Sequence, residues 1–479
     1  MTMDRTRLPR CTPAQAGLEP KRILAMIDAY QARGKQLNSF MLVRHGQVLC
    51  EGYYAPYGPE QLQTVFSLSK TFTAIALGIA ADEGIIGLDD RVIDIFPEEL
   101  AASGVAPGPE LSALTLRHLL RMSTGQDKEP FAEGAWADMR VAFLRMPFTE
   151  MPGEVFRYNT AATYMLSAAL KKKGVDLEAY LQEKLFTPMG ICGTRWQRDR
   201  HDICTGGFGF SLYPEVSAKL GVLILQDGVW EGKRLIPKDF LFLATRPQIY
   251  QPRGPEDEEN NWNVGYGYQI WMCRSGAFRG DGMYGQLCIM DRRTDSVMAI
   301  TALCPDIGAL IDLYTEHVLV AYRPEPLEED EAAMAALAAR LETLRHDRAL
   351  PQDDGGEVPQ ALLGSYALPV GEVTLSMDGG RLIMQHAGRH IVAGRGEYIT
   401  VMCAPFNDEL TLSDDRPSPL RTAYGVMDGA LIIRQYDVEF IEELTLTFTP
   451  ADGGVEVRMQ ETNNPEEPYD WFMVTVPRG

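Results

Sequence analysis

Several things are missing from this 479-residue chain, and each absence excludes a class of answer. No apolar run approaches the ~18 residues that a membrane-crossing helix needs. Basic residues are in deficit: 45 Lys and Arg against 66 Asp and Glu leave a formal charge of −21. That balance argues against nucleic acid or an anionic membrane as partner, because both require a basic footprint. The amino-terminal stretch MTMDRTRLPRCTPAQAGLEPKRIL has neither the apolar core nor the small-residue cleavage site of a secretory signal. The eight cysteines are scattered with no CxxC pair, mostly beside apolar residues, as in Leu49-Cys50 and Leu303-Cys304. They read as reduced, half-buried thiols, and with the missing signal they point to a cytoplasmic protein. There is no G-x-S-x-G elbow, which argues against an α/β-hydrolase. There is also no solenoid-length repeat and no low-complexity tract.

What is present is the composition of a folded protein, 45% hydrophobic and 23% charged, over a length that suggests about three domains by the usual size rule. Residues 39–53 read as a hairpin turning at His45-Gly46. Residues 67–83, SLSKTFTAIALGIAADE, read as a helix stopped by Gly84, and its nearly all-round apolar surface predicts burial in the middle of its domain. The composition shifts at Arg323-Pro324-Glu325-Pro326. A helix follows from about 327 to 346, with Met334, Leu337, Leu341 and Leu344 on one face, acids at its start and bases near its end. PQDDGGEVP (351–359) then reads as a linker. From 360 the period becomes two, and Asp378-Gly379, Asp428-Gly429 and Asp452-Gly453 supply turns between alternating strands. The expected organisation is a mixed domain over 1–325, a helix and linker over 326–356, and an antiparallel barrel or sandwich over 357–479.

The sharpest chemical signal is Ser67-Leu68-Ser69-Lys70. On a helix the i, i+3 spacing puts Ser67 and Lys70 one turn apart on one face. A serine hydroxyl becomes a useful nucleophile when a neighbouring base takes its proton. Lysine can be that base only as the neutral amine, and lowering its pKa from about 10.4 to near 7 requires roughly 4–5 kcal/mol against the ammonium. A buried apolar helix can generate that. Alternatively, Lys70 stays charged and stabilises a tyrosinate base. A serine at the helix start also aims backbone N–H groups at a developing oxyanion.

The phrase TVFSLSKTFTAIALGIAADEGIIGLDDRVIDIFPE resembles the serine β-lactamase and penicillin-binding-protein-like hydrolases, whose S-x-x-K helix runs into a Gly-x-Leu-Asp-Asp turn. TLRHLLRMSTG (115–125), PGEVFRYN (152–159), the stretch 206–240 and FRGDGMYGQ (278–286) are similar to later segments of that family in the same order. Together they cover about 40–325, with the esterase, 6-aminohexanoate-dimer-hydrolase-like and class C branches as the nearest likeness. The resemblance implies an α/β (α+β) fold, an antiparallel sheet flanked by helices, with the small all-β domain following. It implies acyl transfer without metal or organic cofactor on a small-molecule or short-peptide ester or amide. Ser67 is the implied nucleophile, Lys70 its activating partner, and Tyr158 the second-motif tyrosine that shares the proton and delivers it to the leaving group. Ser67 and Met283, just after Gly282, are the implied backbone oxyanion donors.

Two positions depart from the pattern. Thr160 stands where the family's Tyr-x-Asn has its asparagine; its hydroxyl can still hydrogen-bond Lys70, but it is shorter. The third motif reads Gly280-Asp281-Gly282, so its cation is gone and an acid has appeared. Asp281 close to a substrate carboxylate would cost up to about 4 kcal/mol at 4 Å and an effective dielectric near 20, which predicts poor β-lactam turnover. Two alternatives stay open: an acyltransferase on the same fold, or a degenerate member that binds a ligand without turnover. Other patterns carry less. Gly206-Gly207-Phe208-Gly209 lacks the ending of a phosphate loop. His386 and His390 have the spacing of a helical metal pair but lie in strand-rich sequence. His118 and His317 read as satisfied core residues, and the acidic run Pro255-Glu256-Asp257-Glu258-Glu259 as a solvated loop.

Overall fold

The computed structural model describes residues 7–35, 37–130, 137–251, 260–346, 350–403, 416–441, 443–461 and 469–477, so the acidic run at 255–259 lies outside the described residues. The chain forms two compact units, the first ending at Arg345 and the second beginning at His346.

The first unit is built on a six-stranded antiparallel sheet. Its order is Gln47–Tyr53, Leu37–Arg44, Ser296–Ala302, Gln286–Asp291, Phe278–Gly282 and Trp271–Met272. The expected hairpin is there: His45 and Gly46 take φ of 50° and 72°, and Arg44 pairs with Gln47. Positive φ at both turn residues matches the right-handed twist of the two strands. Leu37–Arg44 and Ser296–Ala302 are buried along their whole length because helices cover both faces. Alternate residues serve the two sides. Phe40, Leu42, Leu287, Ile289, Met298 and Ile300 pack with the helices Pro20–Ala32, Ile307–His317 and Glu331–Glu342. Met41, Val43, Cys288, Met290, Val297 and Ala299 pack with Ser69–Asp82, Thr160–Lys172 and Pro214–Leu225.

Ser69–Asp82 is buried without interruption from Ser69 to Ala80, as its all-round apolar surface predicts, and Gly84 follows at φ 71°. The helix expected over 327–346 runs from Glu331 to Glu342, capped by the Asp330 carboxylate accepting from Ala333 N–H. It belongs to the first unit, where Leu337 is buried and Arg340 reaches Asp28 of Pro20–Ala32.

The second unit is a nearly closed all-β sheet of ten strands. Its order runs Gly364–Leu368, Gly371–Asp378, Arg381–His386, Arg389–Arg395, Ser418–Met427, Ala430–Asp437, Glu443–Ala451, Gly454–Glu461 and Tyr469–Pro477, with Ile399–Cys403 also paired to Ser418–Met427. All pairings are antiparallel except that of Arg389–Arg395 with Ser418–Met427, and the first and last strands are in contact. All three Asp-Gly pairs sit at hairpin tips, closing the pairs Asp378–Arg381, Met427–Ala430 and Ala451–Gly454. His386 and His390 lie on the two strands of one hairpin, where His386 pairs with Arg389 and Gln385 with His390. The two rings therefore point to opposite faces and share no metal. The core is lined by Tyr366, Leu375, Ile391, Ile433, Phe448 and Val457. Phe448 is fully buried, its ring centroid 4.9 Å from that of Tyr366. Phe448→Ala is expected to cost this unit about 3–5 kcal/mol, seen as a calorimetric transition moved to lower temperature.

Candidate active site

The start of the helix Ser69–Asp82 is the point on which the sheet, two loops and a second helix converge. Ser67 lies in a short 3-10 turn, Phe66–Leu68, that leads directly into the helix. Phe66 takes φ 44°, an uncommon conformation for a residue with a side chain, and the Leu68 N–H closes the turn on Val65 O at 3.0 Å. The neighbouring Ser69 is fully buried, its hydroxyl donating to Phe66 O, so of the two serines only Ser67 is partly open.

The strand Phe278–Gly282 passes this turn at a distance that only glycine permits. A Cβ on Gly282 would stand 2.2 Å from Val65 O and 3.1 Å from Leu68 N. One on Gly280 would meet Leu68 Cδ1 at 2.2 Å and Thr71 Oγ1 at 2.9 Å. The glycines flanking Asp281 are thus the reason that the strand can lie against the Ser67 turn. Strand alternation turns Arg279 and Asp281 away from that contact.

Lys70 is 1% exposed. Its Nζ donates to Ser67 Oγ at 2.8 Å and to Gly207 O at 2.8 Å. Gly207 is delivered by the glycine-rich loop at 206–209, which is tied down where Thr73 Oγ1 donates to Gly206 O at 2.7 Å and Trp196 Nε1 donates to Phe208 O at 2.7 Å. Burial holds the Lys70 pKa down from 10.5 to about 7, against the opposing fields of Glu129 and Asp281. At ~1.4 kcal/mol per pH unit, this is roughly 5 kcal/mol set against the ammonium.

Tyr158 stands directly before the helix Thr160–Lys172, which Asn159 caps by accepting from Ala162 N–H at 3.1 Å. The Tyr158 ring lies between Lys70 Nζ, 4.9 Å from its centroid, and Trp271, stacked at 5.6 Å and 21°. Trp271 is itself wedged by Tyr266 at 4.7 Å and Phe156 at 5.5 Å. Burial first, then the fields of Asp281 and Glu129, push the Tyr158 pKa well above that of an ordinary phenol, with the nearby Ser67 hydroxyl opposing the rise. Gln269 locks the surrounding elements together. Its carbonyl accepts from Thr71, its side-chain oxygen from Thr163, and its amide donates to Leu119 O and Leu120 O.

Among the described residues, the Lys70 amine is held by Ser67 and Gly207 rather than by Thr160. Burial raises the Glu129 carboxyl above its usual range, with Thr160 and Lys70 opposing that rise. Asp281 is not a bare charge either. Its Oδ2 accepts from Arg279 Nε at 2.9 Å and from Trp262 Nε1 at 3.1 Å, and the Arg279 side chain is completely buried. Burial raises the Asp281 carboxyl above its usual range, with Arg279 and Trp262 pulling it back. Met283, just beyond Gly282, is largely exposed. Glu129, Gly207, Gln269 and Trp271 escaped the sequence reading. The glycine pair Gly206-Gly207, at the start of the family-like stretch 206–240, is the one visible hint of this loop in the sequence. His118 accepts from the Thr115 N–H at 3.1 Å in a capping arrangement, and burial lowers its pKa to about 4.

An antiparallel sheet flanked by helices, with a serine and a buried lysine one turn apart at the start of its central helix, defines the serine hydrolases of the β-lactamase fold. Residues 25–206 match the Beta-lactamase family model. The 6-aminohexanoate-dimer hydrolase of Paenarthrobacter ureafaciens is 25% identical over 63% of this chain and 82% of its own length. Penicillin-binding protein 4* of Bacillus subtilis (strain 168) is 20% identical over 70% of this chain and 78% of its own length. Among solved structures, a putative 6-aminohexanoate-dimer hydrolase from Bacillus anthracis superposes with a TM-score of 0.54 at 19% identity, covering 68% of this chain and 89% of that one. The family match, the curated relatives and the solved structures thus agree in likening the chain to β-lactamase- and penicillin-binding-protein-like serine hydrolases.

The two glycines beside Asp281 differ in what opposes a side chain. Gly282→Ala meets backbone and is expected to lose about 1–3 kcal/mol, whereas Gly280→Ala meets the end of the Leu68 side chain and should lose less. Thermal unfolding of the two variants measures the difference.

Proposed function

We propose that this hydrolase acts on an ester or amide through an acyl-enzyme on Ser67, with Lys70 as the general base and Tyr158 as the proton donor to the leaving group. The observation that carries this reading is the Lys70 amine, buried and 2.8 Å from Ser67 Oγ. With its pKa near 7, Lys70 is an acceptor at neutral pH. Tyr158 sits far on the protonated side, which favours the phenol as donor over a tyrosinate as base. In the acylation step the Ser67 proton passes to Lys70 Nζ while Oγ bonds the carbonyl carbon. Collapse of the tetrahedral intermediate expels the leaving group, which takes a proton from Tyr158, and Lys70 reprotonates Tyr158. Water then attacks the acyl-enzyme and the same groups return the proton to Ser67. Backbone N–H groups of Ser67 and Met283 are assigned to the oxyanion, the second made available by the close passage of Gly282.

β-Lactams are poor substrates in this reading. Arg279, the cation beside Asp281 on the third-motif strand, is buried and consumed by Asp281, so it is not free to hold a substrate carboxylate. The reason is therefore a neutralised cation rather than a bare Asp281.

A fluorophosphonate probe is expected to label the protein on Ser67, with labelling abolished in Ser67→Ala and reduced at least a hundredfold in Lys70→Ala. The labelling rate should rise with pH through a midpoint near 7, because the base is the deprotonated amine, and level off above it. An adduct elsewhere, or a rate that falls as pH rises from 6 to 8, would sink the assignment. A short-chain p-nitrophenyl ester should be turned over faster than a chromogenic cephalosporin.

A further inference from the structure

The Ser67 and Met283 N–H groups assigned to the oxyanion belong to two turns that the close passage of Gly282 brings together. Each turn holds one aromatic residue in the left-handed region, Phe66 at φ 44° and Tyr284 at φ 61°. The two rings meet edge to face with centroids 5.7 Å apart. The first turn leads straight into the buried helix Ser69–Asp82, which fixes it. The second, Met283–Gly285, only links the strands Phe278–Gly282 and Gln286–Asp291. The Met283 side chain is largely exposed, so its burial does little to hold the turn still. The backbone needs other anchors.

Most of them come from one residue. Gln286 opens the next strand and is 1% exposed. It is the ladder partner of Gly282, the residue before Met283. Its side-chain amide donates to Met283 O at 3.2 Å and to Ala302 O at 2.6 Å, and its side-chain oxygen accepts from the Ala302 N–H at 3.3 Å. Met283 is therefore bracketed: the strand pairing fixes the residue before it, and the amide fixes its own carbonyl. Ala302 ends a strand that is buried along its whole length, so the clamp refers the turn to the middle of the sheet. A further tie, from Cys304 N–H to Tyr284 O at 3.0 Å, runs to the same segment. The residues that follow Gln286, Leu287 to Met290, carry no amide, so a filler of this buried strand does not need one. A buried amide is tolerated because its hydrogen bonds are made, and breaking them is costly.

We infer that Gln286 is a positioning residue for acyl transfer: its side chain clamps the Met283 turn so that the Met283 N–H is already aimed where the substrate carbonyl oxygen becomes an oxyanion. The inference rests on the assignment of that N–H in the proposed mechanism. A donor of this kind contributes about 10²–10³ in rate when it is in place beforehand. A displacement of about 1 Å forfeits much of that gain. Gln286 acts through Met283 and transfers no proton. A merely structural role would slow every substrate alike, whereas a positioning role slows those that develop charge on oxygen.

The test uses the full-length protein at one pH with p-nitrophenyl acetate and p-nitrophenyl thionoacetate, which differ only in carbonyl oxygen against sulfur. Sulfur accepts hydrogen bonds weakly, so the thionoester draws little on the oxyanion donors. The p-nitrophenolate leaving group needs no proton, which takes Tyr158 out of the comparison. The wild-type kcat/KM ratio of ester to thionoester is expected to be about a hundred or more. Met283→Pro removes the donor itself, at a place where Gly282, with φ −131° and ψ 152°, already has the backbone that precedes proline. It should lower the ratio about tenfold or more. Gln286→Met keeps the length of the side chain and loses its three hydrogen bonds; the ratio should fall by about three- to tenfold, with the thionoester rate little changed. If Gln286→Met does not fold, Gln286→Glu, which keeps the shape but gives up the amide donors, carries the same test. A ratio that falls in Met283→Pro but stays at the wild-type value in the Gln286 variant overturns the positioning role alone. A ratio unmoved in Met283→Pro removes the oxyanion assignment, and the role of Gln286 with it. Turnover that survives Ser67→Ala would instead overturn the Ser67 reading on which both depend.

Discussion

An ammonium group inside an apolar helix bundle is expensive, and the arrangement around Ser67 follows from how this chain meets that cost. Lys70 sits in a segment buried on all sides, with two oxygen partners, Ser67 Oγ and Gly207 O, and an aromatic face from Tyr158. These contacts satisfy the amine's donors but do not replace water for a full charge. The outcome is a lysine poised to lose its proton near neutrality, already bonded to the hydroxyl it would activate. The loop at 206–209, the 3-10 turn at Ser67 and the stacked pair Tyr158–Trp271 all have their positions defined by contact with this one side chain or its neighbours.

The same region depends on the absence of side chains. Gly280 and Gly282 let the strand Phe278–Gly282 lie against the turn that presents Ser67, and Gly207 lets a loop carbonyl reach Lys70 past Thr160. Alternating with the two strand glycines, the charged pair faces the other way: Asp281 is answered by Arg279, which lies over Trp262 and Trp271. An acid at the third motif therefore changes the site less by adding negative charge than by immobilising the neighbouring Arg279.

Much of the fold was legible because its signals are local. The His45-Gly46 and Asp-Gly turns specify hairpins through backbone preference alone, and the apolar run after Ser67 announces a buried helix by having no polar face. The helix near 330 was visible from its spacing and end charges, though its ends frayed to Glu331 and Glu342 where Asp330 provides the cap. Ser67 and Lys70 were legible for the same reason, since a three-residue spacing on a helix guarantees neighbourhood. Tyr158 came only through resemblance, because no local rule brings a residue ninety positions away to a serine.

The sequence by itself determined which elements form, the turn chemistry that joins them, and the serine–lysine pair, all of which depend on residues within a few positions of one another. Only the tertiary structure decided the electrical state of the site. Whether Trp262 reaches Asp281, which loop carbonyl holds the Lys70 amine, and how deeply Lys70 is removed from water depend on groups far apart in the chain. Charge interactions and burial act through space, and space is what the order of residues does not state.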